Sequence, residues 1–196
     1  MIIGLTGGIA SGKTTAARFL EELGAYIINA DQVSRLIMQP QKKGYREVVE
    51  EFGQKILDQK GEIDRSKLGE IIFSDPRKRK KLEEITHPLI IAEMKAKIKK
   101  LKEEGKDPIV LEIPLLFETG MEQMVDQVWV VYVDETTQLD RLQNRNDLSR
   151  PEAQKRINSQ MSLEEKSKRA DIVVDNNGDK QDLKNEITTL WEKHIG

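Results

Sequence analysis

Leu5-Thr6-Gly7-Gly8-Ile9-Ala10-Ser11-Gly12-Lys13-Thr14-Thr15 decides the fold. Ahead of the loop, Ile2-Ile3-Gly4-Leu5-Thr6 is a mostly apolar run of strand length. Beyond it, Ala16, Ala17, Leu20 and Leu23 recur at helical spacing, and Gly24 stands where a C-terminal cap belongs. Gly7 to Thr14 fits G-x-x-x-x-G-K-[ST] in full, in the strand–loop–helix setting that this pattern needs. Glycines let the backbone turn several N–H groups into one concavity, and the helix starting near Gly12 adds the positive end of its dipole. Gly8, Ala10, Ser11, Gly12, Lys13, Thr14 and Thr15 are therefore candidates to surround a nucleotide's phosphates. Lys13 brings a mobile charge to the outer phosphates, and the Thr14 hydroxyl can ligate Mg²⁺.

Outward from that loop, Tyr26-Ile27-Ile28 is a second strand that ends in Asn29-Ala30-Asp31. Strand, helix and strand together make a unit of roughly thirty residues, the size of a parallel crossover. Pro108 to Glu112 is a third strand and Ile172-Val173-Val174 a short fifth. The fourth, Val128 to Val133, is apolar on both faces, as a covered parallel sheet requires. Leu183, Ile187, Leu190 and Trp191 stripe a closing helix. Between strands two and three the text is mostly helical. Leu89, Ile90, Met94, Ile98 and Leu101 form one stripe there, and Pro88 is placed for a first helical position. The alternation predicts an α/β layered fold on a five-stranded, mostly parallel sheet. Within a single domain 1–196, a helical insertion is expected over 32–104 and a second over 136–169.

Composition removes several function classes. Basic and acidic residues number 32 and 34, so the net charge of −2 argues against a protein that coats nucleic acid. The absence of cysteine excludes a disulfide framework, a thiolate metal site and a cysteine nucleophile. No run approaches the ~20 apolar residues of a membrane span. The apolar start runs at once into glycines with no basic leader, so a cytoplasmic protein is expected. Arg77-Lys78-Arg79-Lys80-Lys81 is a basic run, but Glu83 and Glu84 follow it and no aromatic residue interleaves. It is read as a solvated helix face; a nucleic-acid patch is the rival.

A phosphate cradle alone does not separate switch GTPases, transport ATPases and small-molecule kinases. There is no Asn-Lys-x-Asp for guanine and no Leu-Ser-Gly-Gly-Gln transporter signature. Short length and two insertions favour a kinase with an acceptor-binding part and a lid. Asp31, just past the second strand, is placed to orient and deprotonate an acceptor hydroxyl; capping the next helix is an equal alternative. Arg141 and Arg145 share one face of a predicted helix, suited to holding phosphate oxygens or simply to meeting water. Glu112, at the end of the third strand, serves either a metal-bound water or a buried strand end. A nucleoside or nucleotide acceptor is the rival within the same reaction class.

Four further stretches narrow the choice: Asn29-Ala30-Asp31-Gln32-Val33-Ser34-Arg35, Thr86-His87-Pro88-Leu89-Ile90, Ile113-Pro114-Leu115-Leu116-Phe117-Glu118 and Asp175-Asn176-Asn177-Gly178. With the cradle, and in this order, they resemble the dephospho-CoA kinases over nearly the whole chain. The resemblance implies a P-loop nucleoside triphosphate hydrolase-type three-layer fold with a helical acceptor-binding insertion and a lid. It implies Mg²⁺-assisted transfer of the ATP γ-phosphate to the ribose 3′-hydroxyl of dephospho-CoA, the last step of coenzyme A synthesis. Asp31, Lys13 and Arg141 would then be catalytic, with Arg145, Asn177 and Gly178 beside the nucleotide. Arg35, His87, Pro114, Leu115 and Phe117 would join Asp31 around the acceptor. The expected partner is that small molecule, with no nucleic acid or membrane, in a monomer or weak homo-oligomer. Two departures stand out. The family usually writes Asp-Ala-Asp where this chain has Asn29-Ala30-Asp31, and it commonly has Gly at Ala10. The second departure matters only if that backbone needs a positive φ.

Overall fold

The computed structural model describes residues 1–196. Strand β1 (Ile2–Gly7) leads through the loop into helix α1 (Lys13–Glu22), and β2 (Tyr26–Asn29) follows. Then come β3 (Ile109–Glu112), β4 (Gln127–Tyr132) and β5 (Ile172–Asp175). The sheet order is β2-β3-β1-β4-β5, and all four pairings are parallel. The five expected strands are thus present, and β1 is flanked by β3 on one side and β4 on the other. Such a division around a central strand opens a crevice at the strands' carboxyl ends. Residues following β1, β3, β4 and β5 all emerge at that edge.

Contacts divide the chain into two units, Met1–Asn29 with Leu101–Gly196, and Ala30–Lys100. In the first, Ile3, Leu5, Val110, Trp129, Val131, Ile172 and Val174 of the sheet bury against α1 and α9 (Lys180–His194). Ala16, Ala17 and Leu20 supply the α1 face and Leu183 and Ile187 that of α9, the positions that the helical periodicity marks. Three short helices follow β4: α6 (Glu135–Asn146), α7 (Arg150–Ile157) and α8 (Leu163–Lys168). Arg150 opens α7; Ser149 and Glu152 form a capping box that fixes its start.

The second unit is helical: α2 (Ala30–Ile37), α3 (Lys43–Phe52), α4 (Arg65–Ser74) and most of α5 (Pro76–Glu103). Val48, Phe52, Ile56 and Leu68 make its core, with Leu82 and Ile85 packed against them. Asp64 caps α4 by accepting the Ser66 and Lys67 amides. One expectation fails here. Pro88 does not start a helix; it lies inside the 28-residue α5. The apolar face runs through it, with Ile85 and Thr86 before and Ile90, Met94 and Ile98 after. Burial along that continuous face outweighs the one backbone hydrogen bond a proline removes.

Candidate active site

The loop after β1 owes its shape to close packing. Gly12 has φ of 90°, and a Cβ there would lie 2.1 Å from the Asn176 side-chain nitrogen. Asn176 is buried and donates from Nδ2 to the Ser11 carbonyl at 2.7 Å. A Cβ on Gly8 would stand 2.5 Å from Gln138 Nε2. Side-chain amides thus pack directly against the backbone at both glycines, and at Gly12 the positive φ favours glycine as well. Ala10 has φ of 61°, the left-handed region, so the departure at this position does place a non-glycine where glycine is favoured. The N–H groups of Gly12, Lys13 and Thr14 find no acceptor in the protein. Three adjacent amide donors at the start of α1 suit an anion.

Three side chains converge on Glu112. Lys13 Nζ and Thr14 Oγ1 each donate to Glu112 Oε1 at 2.8 Å, and Asn29 Nδ2 donates to Oε2. Sheet register sets one of these contacts, because Asn29 and Glu112 are cross-strand neighbours on β2 and β3. Burial opposes the charge on Glu112 and is its largest single influence. The Lys13 ammonium, then hydrogen bonds from Lys13, Thr14 and Asn29, together outweigh it and hold the carboxyl below its ordinary range. Glu112 is thus buried and at the same time tied to Lys13 and Thr14 of the loop. Asn29 has a clear local role as well: its amide donates where an aspartate would set a second carboxylate against Glu112.

The residues present fit a magnesium ion. Thr14 offers a hydroxyl oxygen with a carboxylate oxygen 2.8 Å behind it, the hard donors such an ion prefers. No three acidic or histidine side chains cluster to hold a metal ion.

Arg141 donates from its two terminal nitrogens to the carbonyls of Asn176 and Gly178, both at 2.9 Å. It therefore braces the turn after β5. Asn177 Oδ1 accepts the Asp134 amide and its Nδ2 donates to Asp175, so this side chain joins the ends of β4 and β5. Arg145 is exposed and bonds Asn146; Thr15 is half-buried on the first turn of α1. After β3, Pro114 and Leu115 are half-exposed, whereas Phe117 is buried with the Arg169 guanidinium 4.2 Å above its ring. Thr6 and Lys166 both donate to the Pro114 carbonyl, and Lys166 also pairs with Glu118 at 2.9 Å. Burial lowers the pKa of the Lys166 ammonium, a fully enclosed lysine that Glu118 partly compensates.

In the helical unit, Asp31 and Arg35 are exposed on α2 and His87 is half-buried in α5. Asp31 lies in the first turn of α2, where a carboxylate also suits the helix dipole. Arg35 and Arg65 line a cavity of about 230 Å³ together with Met38, Gln39 and Leu68. Much of Arg65 meets solvent, yet its guanidinium is held below its usual range, first by partial desolvation and then by Arg35, with Asp31 opposing. Sequence reasoning missed Gln138, Gln160, Lys166 and Arg65. A polar residue at a buried position of an amphipathic helix, as Gln138 is on α6, was the one available signal.

The family model described as dephospho-CoA kinase matches residues 1–182. A dephospho-CoA kinase from Carboxydothermus hydrogenoformans is 52% identical over 192 residues, covering 98% of this chain and 93% of that protein. Among solved structures, TT1252 from Thermus thermophilus superposes with a TM-score of 0.82 at 32% identity, over 100% of this chain and 98% of that one. A dephospho-CoA kinase from Campylobacter jejuni gives 0.75 at 32% identity, over 98% and 96%.

Proposed function

The chain belongs to the dephospho-CoA kinase family, and on that premise we propose which of its residues carry the reaction. The enzyme transfers the γ-phosphate of ATP to the ribose 3′-hydroxyl of dephospho-CoA, giving coenzyme A and ADP. The cradle from Gly8 to Thr15 holds the triphosphate, its free amides meeting phosphate oxygens. The observation that carries this assignment is the meeting of Lys13 and Thr14 on Glu112, beside three amides without acceptors. Lys13 neutralises charge on the outer phosphates. Thr14, with Glu112 behind it, would hold Mg²⁺, which when bound supplies further neutralisation of the phosphate oxygens.

Asp31 accepts the proton of the acceptor hydroxyl as it attacks. Arg35, His87, Pro114, Leu115 and Phe117 bind the acceptor. Arg141 spends two of its five N–H donors on the 176–178 turn, leaving three that can meet charge developing at the transferred group. Arg145, Asn177 and Gly178 adjoin the nucleotide. In this reading residues 32–104 bind the acceptor and 136–169 act as a lid that keeps water from competing for the phosphoryl group. ATP as co-substrate and a cysteine-free chain support a cytoplasmic protein. A near-neutral charge supports a small-molecule partner without nucleic acid, in a monomer or weak homo-oligomer. No helix is long and apolar enough to cross a membrane.

Kinetics on point variants test the assignment. Asp31→Ala is expected to lose about 10²–10⁴-fold in kcat while ATP binding, read by titration calorimetry, changes little. Lys13→Ala should lower turnover through lost phosphate stabilisation. Unchanged turnover on dephospho-CoA would remove either residue from its role. A panel of acceptors with labelled ATP checks specificity: preference for a nucleoside monophosphate would overturn the assignment of the acceptor side.

A further inference from the structure

The Ile9 peptide is gripped from both sides by residues far along the chain. Its N–H donates to Gln160 Oε1 at 3.0 Å, and its carbonyl accepts from Gln138 Nε2 at 2.8 Å. These bonds span 151 and 129 residues. We propose that Gln138 and Gln160 are positioning residues for ATP, which hold the tip of the phosphate loop in its binding shape. Neither belongs to the cradle motif, and neither touches the reacting atoms.

Three observations support this. First, the loop cannot hold that peptide by itself. Its internal backbone bond runs from the Ser11 amide to the Gly8 carbonyl, which leaves both polar groups of Ile9 to outside partners. The peptide is half-buried, so without these partners its two polar groups would depend on water alone. Second, the neighbouring Ala10 sits in a left-handed conformation, so the loop has a local reason to relax if released. Third, Gln138 is 5% exposed, and a Cβ on Gly8 would stand 2.5 Å from its amide nitrogen, so the two pack closely. Ile9 and Ala10 also pack against the Leu139, Leu142 and Ala153 cluster from α6 and α7, so apolar contact and amide bonds act on the same two residues. With Asn176 on Ser11, three side-chain amides hold the outer side of the loop and leave the Gly12, Lys13 and Thr14 amides for phosphate.

The two bonds differ in sense. A peptide N–H can be met only by the oxygen of Gln160, and a peptide carbonyl only by the NH₂ of Gln138. Glutamate at 160 keeps the acceptor. Glutamate at 138 loses the donor and faces a carbonyl with a carboxylate. Both variants add one negative charge near the loop, so the difference between them reports the contact with the Ile9 peptide rather than the added charge alone.

The inference rests on the cradle binding ATP, and Lys13→Ala serves as the control for that reading. Gln160→Ala, at a half-buried site, is expected to raise the KM and Kd for ATP about tenfold, with the KM for dephospho-CoA and the melting temperature little changed. Gln138→Glu is expected to be about tenfold worse for ATP than Gln160→Glu. If Lys13→Ala impairs turnover while Gln160→Ala leaves ATP affinity intact, the positioning role is overturned and the cradle stands. If Gln160→Ala weakens both substrates equally, or the two glutamate variants behave alike, the role is likewise overturned. If Lys13→Ala has no effect, the cradle reading falls first.

Discussion

Ala10 has the cradle's one unfavourable non-glycine angle, and magnitudes decide what a substitution there does. A left-handed alanine costs roughly 1–2 kcal/mol. Glycine would relieve that, but it adds about 0.5–1 kcal/mol of unfolded-state entropy and gives up a methyl group packed beside Leu139 and Leu142. Ala10→Gly should therefore be near neutral, within about 0.5 kcal/mol of the parent in denaturant melts. Ala10→Val should lose more than about 2 kcal/mol, because a branched Cβ is a true outlier at positive φ. A valine variant as stable as the parent would mean that the loop relaxes out of this conformation. Asn29 shows the same dependence on a single group: its amide is a donor to Glu112 that the family's usual carboxylate could not be.

At the scale of elements, α5 departs most from sequence expectation. X-Pro usually marks a helix boundary because the ring denies a hydrogen bond to the carbonyl four residues back. At Pro88 that carbonyl belongs to Glu84, yet helix continues on both sides. Thr86 returns its hydroxyl to the Leu82 carbonyl one turn earlier. Pro88→Ala should restore the missing donor and raise stability by up to about 3 kcal/mol, seen as a higher melting temperature. A lower one would mean that the ring itself packs where alanine leaves a gap. The strands were easier to read. Val128–Val133 is a short apolar run between Gln127 and Asp134, Ile2–Thr6 one that runs into Gly7, and such runs have few other outcomes. In α5 the local rule and the packing disagreed, and the long apolar face prevailed. Gln138 was illegible for a related reason: α6 periodicity marks it as inward-facing, but not which backbone group it would meet.

At the scale of the whole molecule, several carboxylates tie stability to pH with the same sign. Glu112 is held below its ordinary value despite burial, chiefly by Lys13. Asp134 is lowered first by the Thr137 amide at the start of α6, and Glu152 first by the Ser149 hydroxyl in the α7 capping box. A carboxyl whose folded pKa lies below its unfolded value lends stability above the unfolded value. That stability is lost as pH falls through the folded one. The enzyme should therefore hold a stability plateau near neutrality and lose it progressively below about pH 4.5, the ordinary value for Glu112. Glu112→Gln should flatten part of that decline in urea melts taken from pH 7 to pH 3. An unchanged slope would mean that Glu112 titrates alike in the folded and unfolded chain.

What the sequence determined alone is whatever neighbouring residues enforce. The glycine-rich loop, its lysine and threonine, five strands and the periodic faces of α1 and α9 all follow from backbone sterics and apolar spacing within a few residues. What only tertiary structure decided depends on strand order. Placing β3 beside β1 and β2 brings Glu112 to Lys13, Thr14 and Asn29, and placing β4 and β5 on the other side returns Gln138, Gln160 and Asn176 to a loop more than a hundred residues earlier. Those pairings carry no local signal, because a hydrogen bond is set by distance in space. Burial of the sheet's two faces, rather than any one stretch of chain, creates that distance.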